Sequence, residues 1–407
     1  MIYDLIVVGG GAAGYFAAIN AADLNPKLKV LIIEKNAKSL QKVKVSGGGR
    51  CNVTHACFEP VELIKNYPRG NKDLLEPFKR FGPKETISWF EKRGVPIVKE
   101  VDGRMFPQSN TSQSIIDCFE SECKRLGIQK QMQLSLKGFK YQNNVWDLEL
   151  SNQSTLRAKN LMIATGSDKH IWDMLMELDF EIASPVPSLF TFKIKDTDLA
   201  ELAGTSFVEI TAFAGEIKSV GPGLITHWGL SGPAILKLSA FAALELNKKE
   251  YQFKVKIDWL PTVTKDSLIE TFRNIQTANG KKKISANPEF GFSIRFWKYL
   301  CLKSNVGEFQ NWSESGKKTW QTLANNIKAH DYQVDGKSTF KDEFVTAGGV
   351  ALSEIDMATF SSDKYPTLFF AGEVLNIDAI TGGFNFQAAW TGAWHVAKQV
   401  SKTSHYH

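Results

Sequence analysis

Three glycines near the amino terminus, Gly9, Gly11 and Gly14, stand at the GxGxxG spacing, and an acid, Glu34, follows twenty residues after the last. That combination can hold a dinucleotide. The first glycine permits a tight strand-to-helix turn, the second lets a pyrophosphate approach the backbone, and the third lets helix and strand pack closely. The amides of Ala12 and Ala13 open the helix and point its positive dipole end at the same group. A carboxylate at Glu34 can accept both hydroxyls of an adenosine ribose and repels a 2′-phosphate. Lys35 and Lys42 are read as cofactor-binding with them. A second glycine cluster, "SGGGRCNVT" from Ser46 to Thr54, follows at once.

The elements that must position these groups are legible. Asp4 to Val8 is an apolar run, Ala12 to Ala22 a small-residue helix, and Lys29 to Ile33 a β-branched run, which together predict a βαβ unit. "NLMIATGS" is a later strand ending in Thr165-Gly166. The alternating stretch before it, with turns at Gln142-Asn143-Asn144 and Ser151-Asn152, predicts an antiparallel meander. Near the other end, "TLFFAGEVLNIDAITGGFNFQAAW" reads as a strand to Ala371, then Gly372-Glu373, a loop, and a helix starting around Gly383 to Asn385 and running to Val400. This layout is similar to that of the flavoproteins with two dinucleotide-binding domains, and the resemblance points to FAD. It implies that Glu373 holds a ribityl hydroxyl. The helix start at Gly382, Gly383, Phe384, Asn385 and Phe386 then aims its amides at the flavin N1 and C2 carbonyl, where negative charge gathers on reduction.

With "SGGGRCNVT", "THWGLSGPA", "VTAGGV" and "AGEVLNIDAITGGFNFQAAW" in that order, the chain resembles the bacterial NAD(P)/FAD-dependent oxidoreductases of the aminoacetone-oxidase or BaiN type. The resemblance implies an α/β, Rossmann-like FAD domain built from both chain ends, 1–188 and 344–407. An inserted small β-barrel would occupy 189–259 and 330–343, and a helical subdomain 260–329. "SLFTFKIKD", "SFVEITAFAGEIKSVG" and "YQFKVKIDWLP" alternate as barrel strands should, and "YQVDGKSTFKDEFVT" reads as strand again.

In such a frame the second glycine cluster lies over the pyrophosphate end of the sheet and reaches toward the flavin. Gly48 and Gly49 remove side chains where the flavin edge approaches backbone, and expose amides that can donate to it. Arg50 brings positive charge, and Ser46, Asn52 and Thr54 are short polar groups able to reach the cofactor. Disulfide reductases of this fold carry a CxxxxC pair in a comparable loop, whereas five residues separate Cys51 from Cys57 here. Cys51 is therefore read as packing beside the cofactor. His227 in "THWGLSGPA" precedes a turn and is the candidate catalytic proton donor or acceptor. "DGRMFPQS", which contains Arg104, fits a motif without a derivable chemistry.

These readings converge on an FAD-dependent oxidoreductase transferring hydride at the flavin to or from an unidentified small organic substrate. NADH or NADPH would bind transiently, since no second GxGxxG appears. The alternatives are a flavin-dependent tRNA-modifying enzyme and a non-catalytic FAD-binding redox sensor. Composition is ordinary for 407 residues, with 43% hydrophobic and 23% charged. No uncharged apolar run reaches the roughly 18 residues a membrane span needs, and the opening lacks a basic signal-like region, so a cytoplasmic location is expected. Five cysteines at no metal-ligand spacing predict neither disulfide framework nor zinc. The formal charge of +6 reads as modest and dispersed, with "GKKKIS" a solvated loop, which makes nucleic acid an unexpected partner.

Overall fold

The computed structural model describes residues 1–338 and 345–403. The chain forms two compact units, Met1–Pro187 with Lys341–His407, and Ser188–Phe340.

In the first unit β1 (Ile2–Val8), α1 (Ala12–Leu24) and β2 (Val30–Ile33) realise the βαβ motif. β1 lies between β2 and the strand Thr155–Ile163, parallel to both, with Val8 opposite Ile33 on one side and Ile163 on the other. Leu368–Phe370 and Gln129–Gln131 extend the parallel array outward, placing Phe370 beside Ile163 and Gln131 beside Ile33. The carboxyl ends of five strands therefore form one row. Leu5, Ile6, Val7, Leu31, Ile32, Leu161, Met162 and Ile163 are fully buried, as continuous apolar strands covered on both faces must be. The meander is the hairpin Leu136–Gln142 and Val145–Leu150, added antiparallel to Thr155–Ile163.

α1 shows no polar face because it is enclosed. The closing helix Phe384–Thr403 brings Trp390 to 5.2 Å from Phe16, and Phe119 from the helix Gln113–Arg125 packs tilted against Tyr15 at 6.0 Å, ring centre to ring centre. Its buried polar residue, Asn20, is satisfied by donating to the Phe16 carbonyl and accepting from Trp89 Nε1 at 2.9 Å.

Two readings from sequence change. Gln41–Gly49 starts as helix rather than loop, and the helix breaks where Ser46 turns extended and Gly47, Gly48 and Gly49 take positive φ. The stretch after the second glycine cluster, whose composition reads as a long helical excursion, contains a small sheet in which Thr54–His55 pairs with Arg104–Pro107, and that strand with Ile97–Lys99. Short apolar runs between Gly94, Gly103 and Pro107 are too brief for a helix but fit strands.

The second unit is a closed six-stranded barrel in the order Thr191–Ile194, Gly229–Ser231, Ile217–Thr226, Ser206–Ala214, Gln252–Asp258 and His330–Ser338. Along Gln252–Asp258, Phe253, Val255 and Ile257 point inward while Lys254 and Lys256 face water. The helices Lys265–Asn279, Ile294–Lys303 and Lys317–Lys328 join the barrel in one apolar cluster around Trp259, Phe296, Trp297 and Leu323. Thr264 and Ser293 cap the first two by accepting from the amides of Ser267 and Phe296. Residues 339–344, inside the stretch read as returning strand, lie outside the described residues.

The charge is not dispersed, as the whole-chain total had suggested. Residues 260–329 hold eleven Lys and Arg against five Asp and Glu, an excess equal to that of the entire chain. Among the described residues no helix is long and apolar enough to cross a membrane.

Candidate functional site

The turn after β1 is shaped by what its glycines touch. A Cβ on Gly14 would sit 2.0 Å from the Gly9 carbonyl oxygen, and one on Gly9 would sit 2.4 Å from that of Ala164. No side chain fits at either. Gly11 is different, because a Cβ there meets nothing within 4 Å. It is the N-cap of α1 and offers no capping side chain, and no acid stands in the first turn, so the amides of Ala12 and Ala13 open onto unfilled space.

Glu34, 8% exposed, closes this space from the end of β2. Its Oε2 accepts from the Gly10 amide at 2.8 Å and its Oε1 from both the backbone and the side-chain amide of Asn36, which fix the carboxylate while leaving acceptor capacity on Oε2. Lys35 pairs with Asp168 at 2.7 Å, tying the loop after β2 to the N-cap of the helix Lys169–Met176. Lys42 pairs with Glu373, and the position of a Gly166 Cβ lies 3.7 Å from Glu373 Oε2 and 4.0 Å from Lys42 Nζ. The loops after β2, Thr155–Ile163 and Leu368–Phe370 thus meet over the row of strand ends. Thr165 Oγ1 is buried there without a hydrogen-bond partner among the described residues.

Gly372 joins this cluster to the closing helix, since its Cβ position lies 3.3 Å from Ala13 Cβ and 3.9 Å from Ala389 Cβ. Gly383 precedes that helix at φ +90 with the Thr54 carbonyl oxygen 2.5 Å from its Cβ position, so the chain there passes backbone against backbone. The amide of Asn52, oriented by the network around it, donates to the carbonyls of Thr54 and Met105 and accepts from the Gly383 amide at 3.0 Å. Thr54 donates to Gln387 Oε1 at 2.6 Å, and Thr86 does so at 3.0 Å. Asn385 accepts from the Ala379 amide and donates to its carbonyl, closing the preceding loop. The amides of Phe384, Asn385 and Phe386 belong to the first turn and have no earlier turn to bond.

The second glycine turn carries Gly48 and Gly49 at φ +68 and +83, with nothing within 4 Å of either Cβ position. Ser46 spends its hydroxyl on the Val43 carbonyl. Arg50 is spent locally too: it donates to Glu100 at 2.6 Å and lies 3.9 Å above the Phe106 ring. Arg104 binds the same Glu100 and Asp102, so the motif without a derivable chemistry is a brace for this turn. Cys51 is fully buried, and burial pushes its thiol up to about 12 against a small opposing effect of the Ser46 hydrogen bond. Burial also raises Cys57, and all five cysteines are free. These thiols are unsuited to thiolate chemistry at neutral pH.

Two features escaped the sequence reading. Asp378, inaccessible to solvent, is clasped by Nε and Nη2 of Arg69, which holds the loop ahead of the closing helix. His55 stacks on Phe384 at 4.6 Å and 20°, its Nε2 lies 3.2 Å from the Asp102 carbonyl, and its buried Nδ1 has no partner among the described residues. Burial lowers its pKa, so the ring stays neutral near pH 7. His227 lies in the second unit, exposed at the turn between Ile217–Thr226 and Gly229–Ser231 with Trp228 against it at 4.1 Å. Among the described residues no group of three or more His, Cys, Asp or Glu is placed to hold a metal.

The first-unit arrangement fits FAD. An open space lies over Gly11, uncapped amides open the helix beside it, a fixed carboxylate stands at the end of β2, and the Thr165 hydroxyl is buried without a partner among the described residues. Comparison with known proteins agrees. The family profile described as "HI0933-like protein Rossmann domain" matches residues 3–399. The chain is 27% identical over 413 residues to the ribosomal RNA dihydrouridine synthase of Escherichia coli K12, with 98% of each covered. It is 26% identical over 411 residues to the 3-dehydro-bile acid delta(4,6)-reductase of Clostridium scindens, with 97% of this chain and 98% of that one covered. Among solved structures, the 3-ketosteroid-Δ4-(5α)-dehydrogenase of Rhodococcus jostii RHA1 superposes with a TM-score of 0.53 at 11% identity, covering 98% and 97% of the two chains. That likeness is one of fold.

Proposed function

The chain belongs to the HI0933-like family of Rossmann-domain proteins, and on that premise we propose that this FAD-dependent oxidoreductase saturates a carbon–carbon double bond conjugated with a carbonyl. One observation carries the reading: two relatives of full-length similarity have names that describe the same kind of bond. A dihydrouridine is a uridine whose ring double bond, next to a carbonyl, has gained two hydrogens. A delta(4,6)-reductase acting on a 3-dehydro-bile acid saturates double bonds in line with a ketone.

Bound FAD supplies the hydride, and the protein supplies position, charge and exclusion of water. In this reading residues 1–188 and 344–407 hold the cofactor, with Ala12 and Ala13 donating to the pyrophosphate and Glu34 accepting from the ribose. Glu373, oriented by Lys42, accepts from the ribityl chain together with Thr165. The amides of Phe384, Asn385 and Phe386 stabilise negative charge at the pyrimidine edge of the ring system, an effect worth about 0.3–2 kcal/mol at a helix terminus. Gly48 and Gly49 leave room for the ring, and Asn52, Thr54, Arg50 and Cys51 position that turn. His227 donates the proton that completes saturation at the carbon beside the carbonyl. NADH or NADPH would be the source of reducing equivalents, bound transiently.

The test is anaerobic. Protein reduced with dithionite is mixed with a 4-en-3-one steroid or with uridine-containing RNA, and the oxidised-flavin band is followed. Its return with either acceptor supports the proposal, and His227→Gln then slows the return without changing bound FAD. No return with any conjugated acceptor, and no reduction by either nicotinamide, defeats it in favour of a redox sensor. A second reading within the same chemistry takes uracil in RNA as the acceptor. The Escherichia coli relative and the positive excess of residues 260–329 favour it.

A further inference from the structure

The lysine run first read as a solvated loop is an ordered part of the second unit. Lys283 and Asn311 form an antiparallel bridge, the Ile284 amide donates to the Gln310 carbonyl at 3.0 Å, and the Trp312 amide donates to that of Lys282 at 3.0 Å. Ile284 and Trp312 are buried, so the pairing pins their neighbours Lys281, Lys282 and Lys283 outward into solvent. Two further contacts fix the next segment beside it: the Ser313 amide donates to the Gly280 carbonyl at 2.8 Å, and Gln276 Nε2 donates to that of Ser315 at 2.7 Å. Lys317 and Lys318 follow, exposed in the first turn of the helix Lys317–Lys328. No ion pair engages any of these five lysines among the described residues. The carboxylates of this stretch are Glu289, Glu308 and Glu314; Glu314 is engaged by the Asn311 amide, and Glu289 feels the charge of Lys282 without an ion-pair contact.

Next to Gln310 in this pairing, Phe309 is 68% exposed, with Lys283 Nζ 4.5 Å from the centre of its ring. Solubility alone asks for mixed charge and few exposed aromatics. Five exposed lysines without an ion pair, one of them beside an exposed ring, suit a partner that carries phosphates and planar bases. Phe309 is flanked by Glu308, Gln310 and Asn311 rather than by an apolar face, which does not suit insertion into a lipid surface.

We propose that the surface formed by Lys281, Lys282, Lys283, Phe309, Lys317 and Lys318 binds single-stranded RNA, the lysines along the phosphates and the ring against a base. This rests on the RNA branch of the function proposed above. Phosphate neutralisation supplies the sequence-independent attraction, and stacking adds a contact that salt does not screen.

The test uses the full-length flavoprotein and a fluorescein-labelled oligouridylate, with anisotropy read over a series of salt concentrations. For three to five phosphates neutralised, log K against log salt falls with a slope of about −2 to −3.5. The triple change Lys281→Glu, Lys282→Glu and Lys283→Glu flattens that slope by about 2 and weakens binding tenfold or more. Phe309→Ala weakens binding about five- to a hundredfold and leaves the slope unchanged, while Phe309→Trp retains affinity. Bound FAD is measured on every variant and stays at the wild-type level, which separates lost docking from lost folding. Wild-type protein that binds anionic phospholipid vesicles and ignores the oligouridylate overturns the inference, as does a triple variant with unaltered affinity and slope. If the oligouridylate does not bind while a 4-en-3-one reoxidises the reduced protein, this inference falls and the catalytic reading stands.

Discussion

Two glycine-rich turns lie in the first unit, and their glycines answer opposite demands. At Gly9 and Gly14 a side chain is excluded by backbone carbonyls at 2.4 and 2.0 Å. At Gly48 and Gly49 nothing stands within 4 Å, and it is the positive φ that selects glycine. The first turn is a packing joint between β1, α1 and the strand Thr155–Ile163. The second is a spacer, held open by braces from Arg50, Asn52, Ser112 and the strand Arg104–Pro107. A glycine motif therefore does not by itself say whether it serves the fold or the cofactor.

Substitution separates the two. Gly14→Val drives a side chain into the Gly9 carbonyl and should cost more than about 4 kcal/mol, so soluble protein and bound flavin are lost together. Arg69→Ala removes the cation from a fully buried carboxylate and should cost about 3–5 kcal/mol in chemical denaturation, with an unfolding midpoint that falls even in excess FAD. Gly49→Ala meets no neighbour and should cost only the left-handed strain of about 1–2 kcal/mol. Its larger effect falls on FAD affinity, measured by flavin fluorescence quenching.

The smallest effect is pH dependence at the second turn, which His55 ends. Burial lowers its pKa, with Lys99 and Arg104 adding to that and Asp102 opposing it, so the unfolded chain takes up this proton before the folded one does. Its contribution to stability is complete above the ordinary imidazole value of about 6.5 and declines as pH falls below it. FAD retention should weaken on acidification through that range, and His55→Asn should flatten the profile. A profile that His55→Asn leaves unchanged would assign the acid sensitivity to His330 and His395, which burial also lowers.

The first turn was legible because its partners are near in sequence: Gly9, Gly14 and Glu34 lie within one βαβ unit. The second was legible only as composition. Its braces come from farther along the chain, Arg50 reaching Glu100 and Ser112 reaching Gly49, and spacing carries no record of such pairs. The strand Arg104–Pro107 was missed because four residues give no period to read. The basic helical segment was missed for a different reason. A total of +6 over 407 residues hides an excess confined to seventy of them, and a windowed count reveals it.

The most direct test of the cofactor site is Gly11→Val, measured as a pair of quantities, the melting temperature without FAD and the FAD dissociation constant. Gly11 has an ordinary φ of −93 and open space around its Cβ position, so the unloaded protein should melt as the wild type does. FAD affinity should fall by a hundredfold or more, because the side chain fills the space assigned to the pyrophosphate. Unchanged affinity in a normally melting Gly11→Val protein would place the cofactor elsewhere and contradict the account.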